Sequence, residues 1–252
     1  MARMNYDVQA AAAFQLVREV PQEGLVQWRD ALRRHLSPSQ GMTLLDIGAG
    51  TGAFATAFSD WFDLSVLAVE PSAAMRAQIP SRPRIQVLEG HAAALPLPDS
   101  SADAAWLSTV IHHIPDLEAA AREIRRVLRP GSPVLIRQAF PGRSDRIELV
   151  RWFPETARTI ATYPTVEQTC QAFATAGFGR DALDQIPQTE PVTLTEFLDR
   201  IDIFRQADTT MRNLTDDEFS RGKEQLRYAA QHASDTANPE PRISWLDLLV
   251  LR

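Results

Sequence analysis

Cysteine and lysine are almost absent from this sequence. Its 252 residues include one cysteine, Cys170, and one lysine, Lys223. A single cysteine excludes an intrachain disulfide framework and is typical of a reducing compartment, so we expect a cytoplasmic protein. Because nearly all the positive charge is arginine, an arginine on its own is weak evidence of a functional role in this chain.

Long apolar runs and an excess of positive charge are also missing. No run approaches the roughly 20 apolar residues that span a bilayer, and the first residues lack the pattern of a secretory signal. We therefore expect neither membrane insertion nor secretion. The 26 Lys and Arg residues against 32 Asp and Glu residues give a net charge of -6. This balance disfavours nucleic acid as a partner and favours a small-molecule ligand.

The middle of the chain has a repeating pattern, and the hydrophobic content of 44% suits one large globular domain. Short apolar runs, typical of strands covered on both faces, lie at 43–47, 66–69, 85–88, 104–107 and 134–136. Amphipathic stretches between them predict helices at 54–58, 73–79 and 117–128. This alternation predicts an α/β fold, with a parallel sheet wound by right-handed crossovers.

Helical spacing flanks this region on both sides. It predicts helices at 8–20, 25–36, 166–176, 194–204 and 215–230, and strands follow at 183–186 and 243–251. Thr215 and Glu218 form the pattern of a capping box at the start of the last helix. We expect one domain with four parts: an N-terminal helical lid (1–40), a core (41–187), a helical cap (188–240) and a final core strand (241–252).

A glycine-rich turn follows the first predicted strand. The sequence LLDIGAGTG places glycines at 48, 50 and 52, where a ligand can lie against bare backbone. The spacing differs from the G-x-G-x-x-G of dinucleotide sites, and no lysine follows as in a phosphate-binding loop. The turn therefore predicts a ligand without a pyrophosphate.

An acidic residue, Glu70, follows the second predicted strand. A carboxylate at this position reaches the two hydroxyl groups of a ribose bound over the glycine turn. Together the turn and Glu70 predict a nucleoside ligand.

Four segments, in their order and spacing, resemble the class I S-adenosylmethionine-dependent methyltransferases, and in particular the branch that acts on small molecules. They are LLDIGAGTGAF, AVEPSAAM, EGHAAALPLPDSSADAAWLSTVIHHIPD and LRPGSPVLI. The resemblance implies a doubly wound, mostly parallel sheet of seven strands with helices on both faces and an antiparallel last strand. It also implies S-adenosylmethionine as the cofactor, S-adenosylhomocysteine as its product, and a small metabolite or biosynthetic intermediate as the methyl acceptor, with no metal.

The same resemblance implies which residues meet the cofactor. They are Asp46, Gly48, Ala49, Gly50 and Gly52 at the methionine part, Glu70 at the ribose, Pro71, Met75, His91 and Ala92 around adenine, and Ser108 with Tyr6 near the sulfonium. His91 is a departure, since relatives usually have an aspartate there that accepts from the adenine amine. A neutral imidazole can accept, whereas a protonated one can only donate. We therefore expect weaker cofactor binding in acid.

Candidate catalytic residues lie beside the cofactor in relatives. His112 and His113 follow the fourth strand, and Tyr6 belongs to the segment that relatives fold over the sulfonium. No catalytic signature is expected, because the cofactor is already activated and the protein mainly aligns the reactants. A general base is needed only for an acceptor that is protonated at neutral pH.

Residues near the acceptor pocket of relatives suggest a candidate substrate site. They are Phe14, Arg137, Arg143 and Trp152, with Arg146 and Arg151 nearby. The arginines would suit an anionic acceptor.

Other functions stay open at this level. The main alternative is a cyclase or isomerase that binds the cofactor without transferring its methyl group. A binding module without catalysis, and methylation of protein or tRNA, are further alternatives. The sequence does not indicate the acceptor, the atom methylated or the oligomeric state.

Overall fold

The computed structural model describes residues 22–190, 192–233 and 242–252. Within these ranges one sheet holds seven strands in the order β3-β2-β1-β4-β5-β7-β6. The strands are β1 (Thr43–Ile47), β2 (Ser65–Val69), β3 (Ile85–Leu88), β4 (Ala104–Ser108), β5 (Val134–Gln138), β6 (Arg180–Glu190) and β7 (Arg242–Leu251). Strands β1 to β5 pair in parallel, and β7 is antiparallel to both β5 and β6. The predicted fold class is confirmed.

Helices connect these strands and cover the sheet. They are α1 (Val26–Leu36), α2 (Ala53–Phe62), α3 (Ala73–Arg76), α4 (Leu117–Val127), α5 (Glu148–Trp152), α6 (Thr156–Ile160), α7 (Val166–Ala174), α8 (Leu194–Ala207), α9 (Thr209–Arg212) and α10 (Asp216–Ala233). The predicted helix at 8–20 lies outside the described residues. None of the helices in the described ranges has the length and apolar character needed to cross a bilayer.

Several helix starts are fixed by side chains that accept from free backbone N–H groups. Asp116 caps α4, and Thr165 and Thr193 form capping boxes at α7 and α8. The predicted capping box at α10 is present, since Thr215 Oγ1 accepts from Glu218 N and the Glu218 carboxylate accepts from Thr215 N. These contacts satisfy donors that a helix cannot pair internally, and so they define where each helix begins.

Each face of the sheet carries its own apolar layer. On one face, Trp28 of α1 and Phe58 of α2 pack edge-on against Trp106 of β4. On the other face, Ile124 of α4 and Phe173 of α7 belong to the second layer. Because both faces are covered, the strands read as continuous apolar runs in the sequence.

A third apolar cluster forms a helical layer that we call the cap. Its buried members include Phe153, Phe197, Ile201, Met211 and Phe219. These residues come from two segments, α5 with its following residues and α8 to α10. The cap therefore uses 148–160 in addition to the insertion expected at 188–240.

Strands β6 and β7 extend beyond the rest of the sheet. β5 ends at Gln138, opposite Asp247, whereas the β6–β7 pairing continues to Glu190 opposite Arg242. We call this extension, residues 186–190 and 242–246, the overhanging ribbon. Pro187 is compatible with it because β6 is the edge strand, where a missing N–H does not interrupt a ladder on the open side. The predicted strand at 183–186 covers less than half of β6.

Candidate active site

A cavity of about 520 Å³ lies at the carboxyl ends of β1, β2, β4 and β5. The loops after these strands form one side, and the cap with the overhanging ribbon forms the other. In open α/β sheets ligands bind at this edge, where the strand order reverses. Here β1 and β4 are neighbours at that reversal.

The glycine turn forms the floor of one end of the cavity. Gly48, Gly50 and Gly52 have φ values of 69°, 57° and 83°, a left-handed conformation that favours glycine. The N–H groups of Gly48 and Ala49 both donate to Val69 O, at 2.8 and 3.2 Å, which ties the turn to β2. A Cβ atom on Gly48 would lie 2.5 Å from Val110 Cγ2. Gly48, Ala49 and Gly50 line the cavity, while Gly52 caps the start of α2 behind it.

Glu70 links this turn to the loop after β2. One carboxylate oxygen accepts from Gly50 N at 3.0 Å and the other from Ser72 N at 2.9 Å. Burial raises the pKa of Glu70 above its ordinary value, while these two N–H donors and the charge of Arg76 oppose the rise. Each oxygen keeps a second acceptor position for a ligand hydroxyl.

Asp46, the last but one residue of β1, is buried at the floor of the same end. Burial, together with the nearby charge of Glu70, raises the pKa of Asp46 from 3.8 to about 8. Its Oδ2 atom is buried and makes no hydrogen bond with the described residues. A buried carboxyl oxygen without a hydrogen-bond partner at the bottom of a cavity marks a position for a polar group of a ligand.

Five more of the predicted cofactor residues, all within the described ranges, surround this end of the cavity. Pro71 and Met75 come from the loop after β2 and from α3, His91 and Ala92 follow β3, and Ser108 ends β4. The side chain of Met75 is buried, whereas His91 is exposed and also lines the cavity. Thus the loops bring these separate segments of the sequence to one site.

The two predicted catalytic histidines line the middle of the cavity. His112 stacks on Tyr163, with ring centroids 4.0 Å apart, and lies beside His113. Its Nδ1 atom is 3.2 Å from Gln138 Nε2. The stacking on Tyr163 and the contact with Gln138 thus orient the His112 ring within the cavity.

The predicted arginines separate into two groups. Arg137 lines the cavity, where its guanidinium donates to Gln188 Oε1 at 2.5 Å and lies 5.1 Å from the Trp28 ring. Arg143 instead pairs with the buried Asp247, with Nη2 2.9 Å from Oδ1. Arg146 lies over the Trp245 ring and Arg151 over the Trp152 ring.

Three further predicted site residues, Trp152, Phe14 and Tyr6, are not placed at the cavity by the described structure. Trp152 is buried in the cap cluster and does not line the cavity. Tyr6 and Phe14 lie outside the described residues. An anionic acceptor would therefore depend on Arg137 among the four arginines that the sequence suggested.

The overhanging ribbon contributes polar residues that the sequence analysis missed. Gln188 and Glu190 of β6 and Arg242 and Ser244 of β7 line the cavity, and they form directly opposed pairs on one face of the ribbon. The signal available in the sequence was the alternation of residues 186, 188 and 190, which predicts side chains on one face of a strand. Because the predicted strand ends at Ile186, the sequence analysis did not place residues 188 and 190 on a strand face.

Comparisons with known proteins agree with this arrangement. Residues 45–136 match the model of a methyltransferase domain family. The ubiquinone/menaquinone biosynthesis C-methyltransferase UbiE of Caulobacter vibrioides is 35% identical over 121 residues, which are 43% of this chain and 48% of that protein. The chain thus spans about half the length of the curated relatives it matches.

Solved structures show the same fold over most of the chain. A putative methyltransferase from an antibiotic biosynthesis pathway of Anabaena variabilis has a TM-score of 0.69 at 22% identity, and the match covers 89% of this chain and 96% of that one. The [4+2]-cyclase SpnF has a TM-score of 0.60 at 19% identity, covering 94% and 83%. The matched segment thus resembles a methyltransferase domain, and the solved structures show that the fold agrees with the resemblance to class I S-adenosylmethionine-dependent methyltransferases found in the sequence.

Proposed function

We propose that this protein transfers the methyl group of S-adenosylmethionine to a small-molecule acceptor and releases S-adenosylhomocysteine. The observation that carries the proposal is the continuity of the cavity. One space extends from the glycine turn and Glu70 to the cap and the overhanging ribbon, so that a nucleoside cofactor and a second molecule can meet inside it.

The residues at the first end fit this cofactor. Asp46 offers a buried acceptor without a partner among the described residues, and Glu70 offers two oriented oxygens for a ribose. The glycine turn leaves its backbone bare, so Gly48 and Gly50 would hold the methionine part. Pro71, Met75, His91 and Ala92 would surround the adenine.

When bound, S-adenosylmethionine supplies an activated methyl group and a neutral thioether as leaving group. The protein then has to align the acceptor and exclude water. Such positioning can contribute about 7–11 kcal/mol to lowering the barrier. The apolar residues on the cap side, including Ile160, Phe197 and Phe204, would exclude water from this part of the cavity.

The cavity also supports a small acceptor. A space of about 520 Å³ shared with a cofactor leaves room for a metabolite but not for a folded macromolecule. The net charge of -6 agrees with a partner other than nucleic acid, and the single cysteine with a cytoplasmic location.

The cyclase alternative is not favoured. SpnF shares the fold at 19% identity, and at that identity the likeness concerns the fold alone. The products distinguish the two functions, because S-adenosylhomocysteine forms only when the methyl group is transferred.

Calorimetry with purified protein tests cofactor binding. We expect heat with S-adenosylmethionine and with S-adenosylhomocysteine, and at least about tenfold weaker binding in Glu70→Gln, because a hydroxyl–carboxylate bond contributes roughly 1.5–3 kcal/mol. Glu89→Gln is the matched control, since Glu89 is exposed and does not line the cavity. Transfer is then followed as S-adenosylhomocysteine release with a panel of small amines, phenols and carboxylates. Absence of heat with both nucleosides would refute the proposal.

A further inference from the structure

The half of the cavity away from the glycine turn has a distinct lining. We call it the acceptor chamber, bounded by the overhanging ribbon, α5, α8 and the stacked pair His112 and Tyr163. Its walls are mainly apolar, with aromatic rings from Phe197 and Phe204 that meet edge to face. The chamber therefore suits a ligand with an apolar or aromatic body.

Three carboxylates and two guanidinium groups are placed in these walls. Glu148 has both oxygens bound by Arg242, at 2.5 and 2.7 Å. Asp208 Oδ1 caps α9, accepting from Thr210 N and Met211 N. These two carboxylates thus have structural partners.

Glu190 differs from the other two acids. Its Oε1 atom accepts from Gln188 Nε2 at 3.0 Å, and its Oε2 atom makes no hydrogen bond within the described ranges. Gln188 is itself oriented, because its Oε1 atom accepts from Arg137 Nη2 at 2.5 Å. The amide nitrogen must then face Glu190. Gln188 is therefore a positioning residue that holds the Glu190 carboxylate at the chamber wall.

Charge in the whole cavity is unbalanced toward acid. Within the described lining, five carboxyl groups face two guanidinium groups: Asp46, Glu70, Glu148, Glu190 and Asp208 against Arg137 and Arg242. Even with Asp46 protonated, the carboxylates outnumber the guanidinium groups. A cavity with this excess favours cationic ligands.

We propose that the acceptor chamber binds an amine, with its ammonium group hydrogen-bonded to Glu190 and its apolar body among the rings of the cap. The identity of this amine as the methyl acceptor rests on the proposed function: the ammonium group would first give a proton to the Glu190 carboxylate, the nitrogen lone pair would then take the methyl group, and S-adenosylhomocysteine would leave as a neutral thioether. Binding of the amine in the acceptor chamber does not depend on the proposed function, since it involves this chain's residues alone. Burial raises the pKa of Glu190, while the charge of Arg242, the hydrogen bond from Gln188 and the charge of Arg137 oppose the rise. The net rise agrees with a carboxylate whose lost hydration is only partly compensated.

Three probes of similar shape test the proposal: 2-phenylethylamine, 2-phenylethanol and 3-phenylpropanoate. Each is titrated calorimetrically into the protein alone and into the protein saturated with S-adenosylhomocysteine. We expect the amine to bind at least about tenfold more tightly than the alcohol or the carboxylate, as for one charge-assisted hydrogen bond.

Variants locate the effect. Glu190→Gln keeps the shape of the side chain and should lower amine affinity about tenfold or more while leaving alcohol affinity unchanged. Glu190→Asp, which keeps the charge, should retain part of the preference. Glu224→Gln is the matched control, because Glu224 is exposed on α10 and lies outside the cavity lining. Circular dichroism and thermal midpoints verify that each variant is folded.

The outcomes separate this proposal from the proposed function. Equal affinity for amine and alcohol, tighter binding of the carboxylate, no heat with the amine, or an unchanged amine affinity in Glu190→Gln would each contradict the amine site. A failure of S-adenosylhomocysteine to bind, with the amine preference intact, would instead contradict the proposed function.

Discussion

Asp46 and Glu70 place two acidic side chains at one end of the cavity, in different surroundings. Glu70 accepts two backbone N–H groups, whereas Asp46 is buried with one oxygen lacking any donor in the described structure. The pKa of Asp46 rises to about 8, first because of burial and then because of the charge of Glu70. The folded protein therefore keeps a proton on Asp46 that the unfolded chain releases.

This difference makes stability depend on pH. Since the folded-state pKa of Asp46 lies above its ordinary value of 3.8, the free energy of unfolding should fall as the pH rises from about 4 to about 8. Asn cannot ionise, so the free energy of unfolding of Asp46→Asn should not show this decrease with pH. We expect the variant to be closest to wild type near pH 4 and more stable than wild type at pH 8.5, measured by urea denaturation.

A surface variant serves as the control for this measurement. Asp199→Asn changes the same residue type at an exposed position of α8 and should give the same difference from wild type at both pH values. A constant difference between Asp46→Asn and wild type across the pH range would show that the folded state does not hold the proton.

The turn between β1 and α2 is the element on which the proposed cofactor site depends. Gly48 combines two constraints there, a φ value of 69° and contact with Val110. Gly41 has one of them, with a φ value of 81° and no atom within 4 Å of the position that a Cβ atom would take. The two glycines thus allow backbone strain to be separated from steric overlap.

We predict that Gly41→Ala lowers the free energy of unfolding by about 1–2 kcal/mol, the cost of a left-handed residue with a side chain. Gly48→Ala should cost about 1–3 kcal/mol more, because the added methyl group overlaps Val110. Val110→Ala in the Gly48→Ala background should recover part of that excess. Equal losses for the two single variants in urea denaturation would rule out the steric contribution.

The sequence was sufficient to predict elements whose pattern is local. Strands β1, β4 and β5, buried along most of their length, appear as mainly apolar runs, and the Thr215–Glu218 capping box predicts the start of α10 correctly. The glycine turn and Glu70 could be chosen as candidate site residues from the sequence alone, because each directly follows a strand that is recognisable in the sequence. Their roles in binding remain predictions.

Elements that depend on tertiary position could not be predicted in this way. Pro187 suggests the end of a strand, and only the place of β6 at the edge of the sheet permits the strand to continue to Glu190. Likewise the sequence suggests Arg143 as a pocket residue, whereas in the structure its guanidinium donates to Asp247 of β7. The end of β6 and the partner of Arg143 both depend on pairing between segments that are distant in the sequence. No pattern within one segment predicts such pairing.

At the scale of the whole molecule, the cap and the core are separate apolar clusters connected by the overhanging ribbon. Arg242 of β7 and Glu148 of α5 form a largely buried bidentate ion pair across this junction. Arg242 also lies over the Phe197 ring of α8. The pair thus joins the sheet to both segments of the cap.

Removing one member of this pair should be costly. Arg242→Met leaves Glu148 without its partner, and we expect the free energy of unfolding to fall by about 3–5 kcal/mol. The double variant Arg242→Met with Glu148→Leu removes both charges and should recover most of the loss, since an apolar pair can replace a buried ion pair. Urea denaturation measures both. A double variant no more stable than Arg242→Met would contradict this account.

The insertion of β7 between β5 and β6 has a consequence for the order of events on the ribosome. The residues at the glycine-turn end of the cavity are encoded before residue 110, but the wall opposite them needs Arg242, Ser244 and Leu246. During translation, β5 and β6 must leave a gap in the sheet until these late residues emerge. A nascent chain can therefore form the end of the cavity at the glycine turn first, and the opposite wall is complete only when that gap is filled.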